Sequence, residues 1–390
     1  MKKVRSLLTS TGGMNALSSV MAIILGLIAG FVIMLLSNPS QSLRGFGAII
    51  TGGFDSLSDF GYVLHYATPI IMTGLSVGFA GKTGLFNIGA SGQFTFGMYA
   101  SILVAVRCAS LPGPLLCLFS LIAGVAAGAI WGMIPGMLKA MRNVHEVIAC
   151  IMMNYLGMIL VNYLIPLTGI HNASNNFTMP VPTGAELPKL GLNVLFSTAV
   201  GAGRRPSPVG SGIIIAILAS VLMYILLEKT KFGYELKSCG FNREAARYAG
   251  INENRGIVMS MVVAGALSGL GGALLALSGA GTGIQVVDSL AAEGFNGIPV
   301  ALLGLFNPIG ILFSGILIAY LTQSGFNMQT LFSREIIDII VAVIIYFSAL
   351  ALLLKNVIQY IMRDKKEKPK SAGDKPKIDG AKSSPKGGGV

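Results

Sequence analysis

Apolar residues run through this chain in stretches of membrane length, separated by short polar breaks. Residues 18–36 form the first uninterrupted run, and others occupy residues 62–80, 94–106, 115–138, 146–165, 212–227, 256–278, 289–306, 309–323 and 336–354. A helix of about 20 residues crosses a bilayer. The pattern therefore predicts an all-α polytopic membrane protein with about ten transmembrane segments, some of them broken or re-entrant. The first run is too long for a signal-peptide core and leads into Ser37-Asn38-Pro39-Ser40, so it reads as a retained helix.

The chain is organised around residues 84–93, GLFNIGASGQ, where three glycines and several amide and hydroxyl side chains interrupt the apolar pattern. Hydrocarbon tolerates irregular backbone only where protein or a water-filled cavity covers it. The stretch must leave the membrane or line something polar within it, and the second option makes the protein a conduit.

Composition sharpens the class. The chain has 390 residues, 53% hydrophobic and 11% charged, against about 25% charged in a soluble protein. A formal charge of +12 could suggest nucleic acid, but the positive residues concentrate in a few loops and the tail, as on the cytoplasmic face of a membrane protein. Residues 228–255 carry Lys229, Lys231, Lys237, Arg243, Arg247 and Arg255, whereas the longer loop 168–211 holds only Lys189, Arg204 and Arg205. The first segment reads as cytoplasmic and the second as external. Both termini then fall on the cytoplasmic side of the membrane: a cytoplasmic N-terminus over residues 1–17, a transmembrane domain over 18–355 and a disordered basic tail over 356–390.

No catalytic constellation stands out. Residues 76–83, SVGFAGKT, approach the phosphate-loop pattern, but Ser76 replaces its first glycine and the preceding run is a membrane helix. His145-Glu146 begins like a zinc-protease motif, yet Ala149 stands where the second histidine belongs. Cys108, Cys117, Cys150 and Cys239 have no metal-type spacing. Asp288, Glu293, Glu335 and Asp338 lie near predicted helix ends, so ion coupling through buried carboxylates is not indicated.

Two further features bear on mechanism. Gly84-Leu85-Phe86-Asn87 is echoed by Gly294-Phe295-Asn296-Gly297, each flanked by hydrophobic helix, an echo compatible with a two-half internal repeat of the transporter kind. In the charged loop, Asn242 is a good cap for a short helix over residues 243–249, on which Phe241, Ala245 and Tyr248 fall roughly on one face. Such a helix suits a groove on a cytoplasmic partner, or a membrane surface.

Four stretches together resemble the permease subunit of a bacterial ABC importer: residues 84–93, 143–155 (NVHEVIACIMMNY), 230–251 (TKFGYELKSCGFNREAARYAGI) and 294–310 (GFNGIPVALLGLFNPIG). The likeness is to the branched-chain amino acid/ribose permease superfamily, in its nucleoside branch dependent on basic membrane lipoproteins. It implies a separate ATPase with two cassettes that holds ATP and magnesium, so that this chain binds no cofactor. It also implies a second permease chain in a heterodimer and an extracytoplasmic substrate-binding lipoprotein, with lipid around the helices. The ATPase-coupling helix maps onto Phe241, Arg243, Glu244, Ala245, Ala246, Tyr248 and Gly250. Ser91 stands where the branch usually has Glu, and His145 where Asn is common.

The expected cargo path runs past Phe86, Asn87, Ser91, Gln93, Phe295 and Asn296. The amides and hydroxyl would meet a neutral nucleoside and the two rings would flank its base. The same glycines and phenylalanines also suit tight helix packing. A permease for ribose, another sugar or branched-chain amino acids shares these features, and a self-sufficient secondary carrier is the alternative of another class.

Overall fold

Helices follow the apolar runs, and glycines, prolines and capping side chains set their limits. A computed structural model describes residues 11–200 and 203–350, with residues 353, 354 and 356. The expected extreme N-terminus and basic tail lie outside the described residues.

Helix α1 (Thr11–Ser37) leads into the short α2 (Ser42–Thr51). Helix α3 (Leu57–Lys82) starts where the Ser56 hydroxyl accepts the Asp59 N–H at 3.1 Å. Helices α4 (Ala90–Arg107), α5 (Gly113–Arg142) and α6 (Glu146–Leu167) follow. The α5–α6 corner is made by Asn143 in the left-handed region (φ 51°) and by the His145 ring, whose Nδ1 accepts the Val147 N–H at 3.3 Å. Lys139 closes this corner on Glu146 at 2.9 Å.

Residues 168–211 hold two antiparallel pairs, β1 (His171–Asn172) with β2 (Phe177–Thr178) and β3 (Thr198–Val200) with β4 (Gly203–Arg205), and a one-turn helix α7 (Leu192–Leu195). Helix α8 (Gly212–Lys229) leads away to α9 (Lys231–Phe241) and the short α10 (Arg243–Tyr248), at the opposite end of α8 from the hairpins. Helix α11 (Glu253–Ala276) ends before Gly279 and Gly281, both at positive φ. The last described helices are α12 (Ala292–Leu303), α13 (Pro308–Asn327) and α14 (Arg334–Ala349).

Seven helices are long and apolar enough to cross a membrane: α1, α3, α5, α6, α8, α11 and α13. The expected ten is not reached among the described residues. Helix α12 has 12 residues, a length of about 18 Å against a hydrocarbon core of about 30 Å. It is a half-helix, stopped by Leu305 and Phe306, both at positive φ, before Asn307 caps α13 through bonds from Ile309 and Gly310. The Asn307-Pro308 step is therefore a true break rather than a kink. Helix α14 has 16 described residues.

Helix α3 is the axis, with 89% of its apolar window buried against 22% for α1. It packs against α8, α11, α12 and α13, while α1 and α14 pair at the periphery. The tightest assembly joins α4, α5 and α11. Gly124, Gly128, Gly132 and Gly136 recur every fourth residue on α5, facing Gly265 and Gly269 of α11. A Cβ at Gly132 would lie 2.5 Å from the Met261 carbonyl oxygen, and one at Gly269 would lie 2.8 Å from the Gly128 Cα. Any side chain here must push two helix backbones apart.

Gly128→Leu should therefore cost about 3 kcal/mol or more, lowering both the yield and the melting temperature of the detergent-solubilised protein. Gly47→Ala, where a methyl meets nothing within 4 Å, should change stability by about 1 kcal/mol or less. Fluorescence of the single tryptophan, buried Trp131, reads both transitions.

Candidate functional site

The interruption between α3 and α4 remains inside the protein. Leu85, Asn87, Ser91 and Gln93 are all buried, so the backbone of the break must find its partners within the fold. Gly89 precedes α4 and offers no side chain to cap it. The cap comes from α6: Asn154 Oδ1 accepts the Gly92 N–H at 2.8 Å, and its Nδ2 donates to the Ile88 carbonyl at 3.0 Å. Ser268 of α11 donates to the Ala90 carbonyl at 2.6 Å.

The amides of Asn87 and Gln93 form a reciprocal pair. Asn87 Nδ2 donates to Gln93 Oε1 at 2.8 Å and Gln93 Nε2 returns a bond to Asn87 Oδ1 at 3.1 Å. The second hydrogen of Asn87 Nδ2 goes to Ser76 Oγ of α3 at 2.9 Å. Ser76 thus sits in mid-helix, and residues 76–82 are α-helical rather than a phosphate-binding loop. The cluster is neutral and internally satisfied, the condition under which buried polar groups stabilise rather than destabilise.

The half-helix α12 docks on this cluster. Ser91 Oγ donates to the Ala291 carbonyl at 2.9 Å, and Thr73 Oγ1 to the Glu293 carbonyl at 2.9 Å. A Cβ on Gly294 would lie 2.7 Å from the Ser91 nitrogen, and one on Gly297 would lie 2.8 Å from the Gly74 nitrogen. The two Gly/Phe/Asn stretches are thus brought together, although they are not equivalent: Asn87 lies in an extended break and Asn296 within α12. Phe86, Phe295 and Asn296 are half-buried. Asn296 lines a cleft of about 260 Å³ with Thr322, Gln329, Arg334 and Asp338.

At the α9–α10 end, Asn242 accepts the Ala245 N–H at 3.0 Å and so starts α10. The helix ends at Tyr248, where residues 243–249 had been expected. Phe241 closes α9 instead of lying on α10. Phe241 and Tyr248 are 90% and 94% exposed, Arg243 is half-buried, Glu244, Ala245 and Gly250 are exposed, and Ala246 is buried. An open cleft of about 970 Å³ is lined by Lys82, Glu228, Tyr234, Phe241, Ala245, Ala246 and Gly250 among others, but not by Arg243, Glu244 or Tyr248. Burial pushes the Cys239 thiol of α9 above its ordinary range, helped by the carboxylates of Glu253 and Glu235.

Sequence reasoning missed Asn154 and Ser76 as members of the cluster. A detectable signal existed for the first: an amide within the apolar run IMMNYLGMIL, where hydrocarbon would penalise it unless partnered. Replacing it by leucine, close in size, orphans the Gly92 N–H and the Ile88 carbonyl at once. Asn154→Leu should cost about 2–4 kcal/mol, at roughly 1–3 kcal/mol per unpaired buried group, read as a fall in melting temperature by Trp131 fluorescence.

Comparison with known proteins agrees with this architecture. The chain is 36% identical to the guanosine ABC transporter permease protein NupP of Bacillus subtilis, over 88% of this chain and 95% of the relative. It is 34% identical to the nucleoside ABC transporter permease protein NupB of Lactococcus lactis, over 87% and 92% respectively. It is 32% identical to the glucose ABC transporter permease protein TsgB13 of Haloferax volcanii, over 74% and 76%. Further permease chains of the first two bacteria, NupQ and NupC, match as well. Residues 60–349, which run from α3 through α14, match the family described as branched-chain amino acid transport system / permease component. The chain is a multi-pass membrane protein and belongs to that permease family.

Proposed function

We propose that this chain is one of two permease subunits of an ATP-driven importer, and that its cargo is a nucleoside. The observation that carries the reading is the 36% and 34% identity, across nearly the whole chain, to permeases named for guanosine and nucleosides. The partners follow from the same reading: a second permease chain, as NupP and NupQ occur in one bacterium, an ATPase with two cassettes holding ATP and magnesium, and a substrate-binding lipoprotein outside. This chain catalyses no reaction of its own.

The charge of residues 228–255 supports a cytoplasmic side for α9 and α10 and an external one for residues 168–211, with both chain termini inside. The exposed pair Phe241 and Tyr248, with Ala245 between them, is the surface offered to the ATPase. Small residues let a partner groove close on α10, and the two aromatic rings fill pockets on either side of it. Lys231 and Lys237 in the cleft wall are paired with Glu235 and Glu228, which line it too, so its charge is nearly balanced and the aromatic rings carry the docking surface.

The cargo passes between the α12 face of this chain and the second permease. Phe295 and Asn296 line the passage directly. Phe86, Asn87, Ser91 and Gln93 hold the break in the present state and meet the cargo when α12 moves away, the amides then exchanging one another for the base and sugar. A nucleoside is neutral, so paired amides and aromatic rings suit it better than a fixed counter-charge. The relative named for glucose supports a sugar as the second reading.

Uptake of labelled guanosine by cells carrying the complete system separates the two. Unlabelled nucleosides should compete, while ribose, glucose and leucine should not; competition by glucose alone would move the assignment to a sugar. Ala245→Asp should leave the chain in the membrane, release the ATPase on purification and lower uptake at least tenfold, the effect of about 1.4 kcal/mol. Normal uptake by that variant would remove α10 from the mechanism.

A further inference from the structure

One contact joins the α9–α10 loop to the buried break, and it is made by bare backbone. Gly84 follows the end of α3 at φ +76°, and a Cβ there would lie 2.6 Å from the Gly240 Cα. In the other direction, a Cβ on Gly240 would lie 2.7 Å from the Thr83 carbonyl carbon and 2.8 Å from the Gly84 nitrogen. Two glycines facing each other in this way let the chains touch with no side chain between them. Gly240 lies just before Phe241 and the Asn242 cap that starts α10; Gly84 lies three residues before the buried Asn87.

The same point is tied to α11. Thr83 Oγ1 donates to the Ala80 carbonyl at 2.8 Å, so in its contact with Ser260 of α11 the serine hydroxyl is the donor. Cys239, next to Gly240, lies beside Gly256 of α11, where a Cβ would meet its sulfur at an ordinary 3.5 Å. Beyond this point, the end of α3 and α10 border the large cleft, with Lys82 on one side and Asn242, Ala245 and Ala246 on the other.

The geometry points to the Gly84–Gly240 contact, braced by Thr83 and Ser260, as the joint that passes displacement of α10 to the Asn87–Gln93 cluster. Side chains can absorb a push by changing rotamer, whereas backbone against backbone cannot; Gly84 and Gly240 are themselves exposed, but Thr83 and Ser260 behind them are buried, in close-packed protein that transmits the strain. The residues of the joint are positioning residues: they touch neither cargo nor nucleotide, and act through the shape of the break. The inference deepens the importer reading and rests on it.

The test uses the complete importer in proteoliposomes, with labelled guanosine as probe, and reads nucleoside taken up per ATP hydrolysed. A merely structural defect lowers uptake and hydrolysis together and leaves this ratio alone. Gly240→Ala should lower the ratio several-fold. Ser260→Ala, which adds no atom and leaves Thr83 bonded to Ala80, should assemble normally and also lower the ratio; it decides the matter where Gly240→Ala does not assemble. Gly256→Ala, in the same region but with room for its methyl, should keep the wild-type ratio. A wild-type ratio in Ser260→Ala overturns the joint. Uptake by the wild-type system that needs no ATP instead overturns the importer reading, and that is seen before any variant is made.

Discussion

Backbone contact between α4, α5 and α11 is the constraint on which the other helices depend. Lipid chains are as apolar as leucine, so helices in a bilayer gain little from hiding apolar side chains from it. Association must come from close packing, and packing is closest where side chains are missing. Glycine at every fourth position of α5 lays a smooth groove along one face, and Gly265 and Gly269 of α11 fit into it with Gly97 of α4 alongside. The opposite faces of α5 keep large apolar residues such as Leu118, Ile122 and Ile130, exposed in the chain by itself and suited to lipid.

This rigid block makes the buried break affordable. Irregular backbone inside a membrane protein needs partners that do not move away. Asn154 on α6 and Ser268 on α11 supply them from two directions, and α6 is itself held by the bond from Trp131 Nε1 to the Met153 carbonyl at 3.1 Å. Trp131 also stacks on Phe96 of α4 with centroids 4.1 Å apart. The chain thus builds its polar interior from neutral amides and hydroxyls. Among the described residues no ion is buried at the break, and the amides of Asn87, Gln93 and Asn154 each find an acceptor.

The two ends of the molecule follow different rules. Around the break, side chains are buried and their hydrogen bonds closed. At α9 and α10, Phe241 and Tyr248 stand in the open, and Phe241 lines a large cleft. Exposed aromatic rings in this place suit the docking surface proposed for the ATPase. Between these ends, the half-helix α12 rests on the break through Gly294 and Gly297 and through side-chain hydrogen bonds to its backbone from Ser91 and Thr73, while Ser19 of α1 bonds the Leu303 carbonyl at its other end.

Much of this was legible along the chain. Long apolar runs announced membrane helices, because a helix that meets lipid on several sides needs apolar residues all round. The Asn242 cap, the glycine stop after α11 and the break at residues 84–93 could be read locally, since each depends on neighbours within a few residues. The number of spans could not be read in this way: residues 289–306 are apolar enough to suggest a crossing, but α12 is half the needed length, its ends set by the left-handed turn at Leu305 and Phe306. Nor does composition reveal that Asn87 bonds Gln93 and Ser76, or that Gly84 meets Gly240 across 156 residues (240 − 84). By itself the sequence determined where most of the long helices form and which residues interrupt them, because those preferences are carried by the residues concerned. Only the tertiary structure decided which polar groups satisfy one another, because in hydrocarbon a hydrogen bond must be found wherever the packing of distant helices happens to place its partner.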